Sequence, residues 1–141
     1  MIVFLDTSVM LKLYIVEAES DAIRSIIESG ADVAVSSISY VEAHSALARR
    51  SRDGSIGRQD ISRVIGAFEA DWFQFWKVHV DDSILRRAGK LCLKYPLRSI
   101  DAVQLAAALL GPEIHEEPFV FLTSDKRIET VARQEKLRTQ V

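Results

Sequence analysis

The chain contains one cysteine, Cys92. Without a partner it cannot form an internal disulfide, and a cysteine-rich zinc site is excluded with it. A small core residue is the ordinary reading of such a position. An excess of positive charge is missing as well: eighteen Lys and Arg stand against twenty Asp and Glu, for a net charge of −2. No global field therefore draws the protein to nucleic acid, and any polyanion it handles must be held locally. No stretch approaches the roughly 20 apolar residues of a membrane span. Met1-Ile2-Val3-Phe4-Leu5 runs straight into Asp6, with neither the basic region nor the long apolar region of a signal peptide. A soluble cytoplasmic protein without membrane association is expected. His44, His79 and His115 are scattered and show no spacing of a metal or general-base motif; surface or interface positions are expected for them. Repeats and low-complexity segments are also absent.

What is present is the composition of an ordinary globular protein, 48% hydrophobic and 27% charged over 141 residues. A chain of this size buries roughly two thirds of its unfolded surface, so one domain spanning residues 1–141 is expected. Ile2 to Leu5 is a continuous apolar run stopped by Asp6-Thr7-Ser8, the pattern of a buried strand feeding a helix. That helix is expected over about residues 8 to 15. Another, carrying Ile23, Ile26 and Ile27, starts at Ser20 or Asp21 and ends at Gly30. Ala31 to Ser37 reads as a second strand. A helix opens at Ser39-Tyr40-Val41-Glu42 and runs to Arg52, where Asp53 to Gly57 ends it as a loop. Ile61, Val64, Ile65, Phe68, Trp72 and Phe75 fall at helical spacing, which predicts a long amphipathic helix from Arg58 to about Trp76. Lys77 to Val80 reads as a short strand. Ile84, Ala88, Leu91 and Cys92 mark a helix that stops before Pro96, and Ser99 to Leu110 mark another, closed by Gly111-Pro112. Phe119 to Leu122 repeats the opening strand pattern, stops at Thr123-Ser124-Asp125, and leads into a helix reaching about Lys136. Strands separated by helices throughout imply an α/β sandwich around a mostly parallel sheet.

In such a sheet, ligands bind beyond the carboxyl ends of the strands. Asp6 and Asp125 each stand at a strand end, and Glu42 and Asp101 each lie in the first turn of a helix. Each has an ordinary structural explanation: Asp6 and Asp125 as N-caps, Glu42 completing a capping box with Ser39, and Asp101 complementing its helix dipole. Their joint placement suggests more, because four acids from four segments can face one cleft. Two like charges about 4 Å apart repel by around 4 kcal/mol at an effective dielectric near 20, so a converging cluster needs protons or a cation. Oxygen-only ligands favour a hard ion such as Mg²⁺ or Mn²⁺ over Zn²⁺. A hard cation at a strand-end cleft suits phosphoryl chemistry, where it activates water and neutralises charge on phosphate oxygens.

Other residues tempt. The basic run Arg49, Arg50, Arg52 ends a helix, where it complements the dipole or contacts phosphates of a polyanion. Lys12 lies near Asp6, within reach of a substrate phosphate or simply solvated. Trp72, Phe73, Phe75 and Trp76 are not interleaved with basic residues, which argues against a base-stacking platform and for a core or dimer-interface role.

Four segments together resemble a known family. Phe4-Leu5-Asp6-Thr7-Ser8-Val9 followed by Leu11-Lys12-Leu13-Tyr14 resembles the opening of a PIN domain, and Ser39-Tyr40-Val41-Glu42 with Ala46-Leu47 is similar to its second motif. Arg98 to Ala108 and Phe121 to Arg127 resemble its third and fourth, so the likeness spans nearly the whole chain in order. Compact length points to the VapC toxin branch. The resemblance implies a PIN-like three-layer sandwich with four or five parallel strands. It also implies Mg²⁺- or Mn²⁺-dependent cleavage of RNA by Asp6, Glu42, Asp101 and Asp125, with Asp6, Asp101 and Asp125 as metal ligands. Thr7 and Ser124 would be hydroxyls that orient the acids, and Lys12, Arg49, Arg50 and Lys126 are the candidate phosphate contacts. A toxin of this branch implies a homodimer and a cognate VapB-like antitoxin that sets a basic residue into the acidic cleft. The stretch Gly111 to Pro118 is longer than a tight family turn, which leaves that connection open. Two other readings stand beside this one. A phosphotransfer domain of haloacid-dehalogenase or response-receiver type also places Asp at strand ends, but the former needs an acid where Ser8 stands. A non-catalytic interaction module would require neither converging acids nor metal.

Overall fold

The computed structural model describes all residues from Met1 to Val141. Eleven elements follow in the order β1 (Ile2–Leu5), α1 (Thr7–Leu11), α2 (Ser20–Glu28), β2 (Asp32–Ser36), α3 (Ser39–Arg52), α4 (Arg58–Trp72), β3 (Trp76–Val78), α5 (Asp82–Lys94), α6 (Ser99–Ile114), β4 (Phe119–Leu122) and α7 (Lys126–Gln134). The sheet has four strands in the order β3-β2-β1-β4. Every pair is parallel, with Val3 opposite Val33 on one side and Val120 on the other.

A strand covered on both faces has no polar side to show, which is why β1 and β4 are apolar without alternation and buried at every residue. The period of two still sorts them. Ile2, Phe4, Ala34, Phe119 and Phe121 pack against α5, α6 and α7. Val3, Leu5, Val33, Val35, Val120 and Leu122 pack against α1 to α4, where Phe68 and Leu47 fill the centre. Burying each of these large side chains contributes about 1.5–3 kcal/mol. The outer edge of β4 is not left bare, because the Phe121 N–H donates to the Arg138 carbonyl at 2.8 Å and the C-terminal segment lies along it. No helix is long and apolar enough to cross a membrane.

Three expectations need correction. Helix α1 ends at Leu11, four residues before the expected limit, because the following loop is organised by its own side chains: Lys12 Nζ donates to the Ala18 carbonyl at 3.0 Å, and Ser20 Oγ donates to the Ile15 carbonyl at 3.2 Å. Helix α4 ends at Trp72, and Lys77 Nζ donates to the carbonyls of Trp72 and Phe75 at 2.8 and 3.0 Å. A lysine bonded to terminal carbonyls closes a helix as glycine does. Helix α6 passes through Pro112 to Ile114 instead of closing at Gly111-Pro112. Gly111 serves packing there, since a Cβ would lie 2.2 Å from the Phe119 ring. Proline removes one backbone donor, yet the last turn is kept by the His115 N–H bonded to the Gly111 carbonyl at 3.0 Å and by an Arg87–Glu113 ion pair at 2.6 Å. The connection to β4 is thereby reduced to residues 115–118.

Candidate active site at the strand ends

The carboxyl ends of β1, β2 and β4 and the N-terminus of α6 open onto a cleft of about 990 Å³, whose walls include Thr7, Ser8, Lys12, Glu42, Arg49, Arg50, Arg98, Asp101 and Ser124. Asp6, the residue after β1, is itself buried behind Thr7 and Ser8. Its Oδ1 accepts the Val9 N–H at 3.0 Å, capping α1, and the Ser8 hydroxyl at 2.6 Å. Burial pushes its pKa up and the charge of Asp101 adds to that, while bonds from Ser8, Thr123 and Val9 oppose the rise. The cap is therefore real and so is the buried charge; the two readings of Asp6 are compatible.

Glu42 is not half of a capping box. The N-cap of α3 is Ile38, with Ser39 and Glu42 both inside the helix. Their side chains point across to other elements instead. Glu42 Oε1 accepts the Thr7 hydroxyl at 2.8 Å and the Gln104 Nε2 amide at 2.7 Å, and Ser39 Oγ accepts the same two groups at 3.1 and 2.9 Å. Thr7, on the first turn of α1, thus bonds one of the acids it was expected to orient. Ser124 lies on the cleft wall.

Asp101 is on the first turn of α6 and accepts Arg98 Nε at 3.1 Å. Asp125 caps α7 by accepting the Arg127 N–H at 2.8 Å, and Arg127 Nη2 reaches its other oxygen at 3.2 Å. The guanidinium beside it holds the Asp125 carboxyl below the ordinary aspartate value. The acids share one end of the sheet, with Asp101 close enough to add to the raised pKa of Asp6. No three of them are gathered at ligating distance around one point, because Asp101 and Asp125 lean onto the adjacent arginines. The donor set still fits a hard cation: it is all oxygen, it includes a buried carboxylate disfavoured by its surroundings, and a neighbouring buried carbonyl, Gln104 Oε1, has no partner.

The cations are less available than the sequence implies. Lys12 is buried rather than solvated, and its Nζ donates to Glu19 Oε2 at 2.7 Å. Arg50 is paired with Glu17. Arg49 is exposed on the cleft wall. Lys126 is off that wall, exposed and paired with Glu129 at 3.0 Å. Arg98, Ser8 and Gln104 are site residues that the sequence reading quoted in motifs without giving them roles. Gln104 carried a signal, as the one polar side chain in the apolar run Ala102 to Ala108. His44 lies outside the cleft, packed on Tyr40 and 3.0 Å from Glu69.

A family model described as PIN domain matches residues 3–134. The chain belongs to the PIN domain family. Among curated PIN-type relatives, Ribonuclease VapC45 of Mycobacterium tuberculosis (strain CDC 1551 / Oshkosh) is 31% identical over 136 residues, 93% of this chain and 89% of that protein. Two solved structures share the fold at lower identity. VapBC2 from Rickettsia felis, bound to a DNA fragment from their promoter, aligns with a TM-score of 0.67 at 13% identity, covering 99% of this chain and 98% of that one. FitAcB from Neisseria gonorrhoeae aligns with a TM-score of 0.69 at 12% identity, covering 99% and 96%. The three-layer sandwich and its strand-end cleft are thus the PIN arrangement, as the motif order suggests.

Proposed function

We propose that this PIN domain is a divalent-metal-dependent endoribonuclease acting as the toxin of a toxin–antitoxin pair. The observation that carries the reading is the strand-end cleft walled by Glu42 and Asp101, with Asp6 buried and Asp125 at the same end of the sheet and no soft ligand, in a chain 31% identical to a protein named as a ribonuclease. Asp6, Asp101 and Asp125 would hold Mg²⁺ or Mn²⁺, with Glu42 beside them. An ion there supplies charge neutralisation on phosphate oxygens and a more acidic water. The chain's own residues supply placement. Thr7 and Gln104 fix one oxygen of Glu42, and Ser8 and the α1 backbone fix Asp6. Asp101 must leave Arg98, which frees that guanidinium on the cleft wall for a substrate phosphate alongside Arg49.

A VapB-like antitoxin belongs to the same proposal, supported by the fold shared with VapBC2 from Rickettsia felis and with a toxin–antitoxin complex from Klebsiella pneumoniae. So does a homodimer, for which α5 offers the apolar face. Of the expected aromatic face, Trp72 and Phe75 pack onto the core, whereas Phe73 and Trp76 stay exposed. The test of the enzymatic reading is cleavage of RNA by purified protein with Mn²⁺, with chelator, and as Asp101→Asn. Chelation should abolish cleavage, and Asp101→Asn, which removes a proposed metal ligand, should lower it about a hundredfold or more with the fold intact, since losing even a group behind the ligands typically costs about ten- to a hundredfold. Cleavage at the wild-type rate in either arm sinks the assignment.

A further inference from the structure

Helix α6 presents Ala102, Val103, Leu105, Ala106, Ala107 and Ala108 to the core, and among them stands Gln104, 3% exposed. A primary amide in such a place must find partners or destabilise the fold. The two hydrogens of its Nε2 are shared among three oxygens: Glu42 Oε1 at 2.7 Å, Ser39 Oγ at 2.9 Å and Thr7 Oγ1 at 3.0 Å. Its Oε1 has none and is buried.

That imbalance is informative. Turning the amide over would let the Ser39 hydroxyl donate to the carbonyl, but would leave Nε2 without an acceptor in the buried place that Oε1 now holds. It would also set a carbonyl oxygen 2.7 Å from a carboxylate oxygen, where Nε2 now sits. A hydrogen bond to an ionised acceptor is roughly twice as strong as a neutral one, so an anionic Glu42 selects the orientation that leaves Oε1 unpaired. The amide is arranged for the carboxylate, at the expense of its own carbonyl.

We propose that Gln104 is a positioning residue for Glu42, holding one oxygen of that carboxylate so that the other is presented to the cleft in a fixed orientation. The proposal rests on the nuclease reading above. Thr7 and Gln104 bond the same oxygen from two elements, α1 and α6, and no hydrogen bond within the chain engages Oε2. Gln104 lies three residues after Asp101, on the same helix face. One turn of α6 therefore supplies one acid of the site and fixes the direction of another. A polar group behind the residues that face a cation sets their aim, and its loss typically costs about ten- to a hundredfold in metal affinity or activity.

The experiment is a double-mutant cycle with Gln104→Met, which keeps length and volume, and Glu42→Gln. RNA cleavage gives kcat and KM, and Mn²⁺ affinity is measured without RNA by electron paramagnetic resonance. Gln104→Met should lower kcat and Mn²⁺ affinity by about tenfold or more with KM for RNA unchanged. In the Glu42→Gln background it should add nothing, because a residue acting through Glu42 has nothing left to act on. An equal further loss in that background shows a merely structural role and overturns the proposal, as does wild-type behaviour of Gln104→Met. If Gln104→Met does not fold, the Gln104 side-chain amide resonances are followed in metal-free wild type and in Glu42→Gln. They should move on that substitution, and unchanged resonances overturn the proposal. A wild-type chain that neither cleaves RNA nor binds Mn²⁺ refutes the nuclease reading and the proposal with it, whereas a cleaving wild type beside an unaffected Gln104→Met refutes the proposal alone.

Discussion

Asp6 caps α1 and, in the proposed nuclease, would also hold the metal, and the charge needed for the second role works against stability. Its cap on α1 needs only an oxygen, which asparagine also offers, whereas its charge is disfavoured by burial and by Asp101. A carboxyl whose folded pKa is raised binds its proton more tightly in the native state than in the unfolded one. Native stability is therefore reduced at neutral pH, and the penalty is relieved as pH falls through the raised value. Asp6→Asn should accordingly have a higher melting temperature than metal-free wild type at pH 7, by a few degrees, and the gap should close towards pH 4. Calorimetric scans across that range decide it. A variant less stable than wild type at pH 7 would show that the hydrogen bonds from Ser8, Thr123 and Val9 outweigh the burial. The acids were legible in the sequence because position alone marks them, at strand ends and first turns. Gln104 was not, because its meaning lies in contacts with Thr7, Ser39 and Glu42, which come from α1 and α3.

At the scale of elements, every strand and helix was legible in type and order, and the misjudged boundaries share a cause. Periodicity and punctuation residues report local preference, whereas the ends of α1 and α4 are set with lysine side chains, Lys12 reaching forward to the Ala18 carbonyl and Lys77 back to that of Trp72. Gly111 looked like a stop signal and is instead a packing residue under Phe119. Gly111→Ala should cost about 1–3 kcal/mol, the usual penalty of overpacking a core, because the Phe119 ring must move while anchored in the sheet. Urea unfolding at wild-type stability would contradict that placement. In the proposed nuclease the loop from Lys12 to Glu19 would bear on function, since its acids pair with Lys12 and Arg50, two of the candidate phosphate contacts. Arg50 and Glu17 form a partly buried pair, and such pairs are worth about 0–1 kcal/mol. Glu17→Gln should then release Arg50 and tighten RNA binding about two- to fivefold, measured by anisotropy in an Asp101→Asn background, with the salt slope steeper by about one. Unchanged affinity and slope would place Arg50 outside the RNA path.

At the scale of the molecule, the notable surface is the outer side of α5. Leu85, Gly89, Cys92 and Leu93 recur at helical spacing and are all exposed, with Leu93 at 93% and Leu85 at 51%. The opposite face of the helix, Ile84, Ala88 and Leu91, is already spent on the core. A second copy of the chain suits this stripe better than a foreign partner, because the helix is self-complementary when paired antiparallel. Asp81 and Asp82 lie at its N-terminal end and Lys90 and Lys94 towards its C-terminal end, so a two-fold axis near Gly89 brings acids beside bases and opposes the two helix dipoles. The same axis sets Leu85 of one copy against Leu93 of the other, with glycine at the point of closest approach. A twofold interface repeats every change twice, so Leu93→Glu should convert a dimer into a monomer. The fold should survive, since a side chain this exposed contributes little to the core. Light scattering at micromolar concentration should give twice the chain mass for wild type and one chain mass for Leu93→Glu. The melting temperature should depend on protein concentration only in the wild type, because association stabilises by mass action. A wild-type monomer, or a Leu93→Glu variant that stays dimeric, would remove α5 as the self-association face.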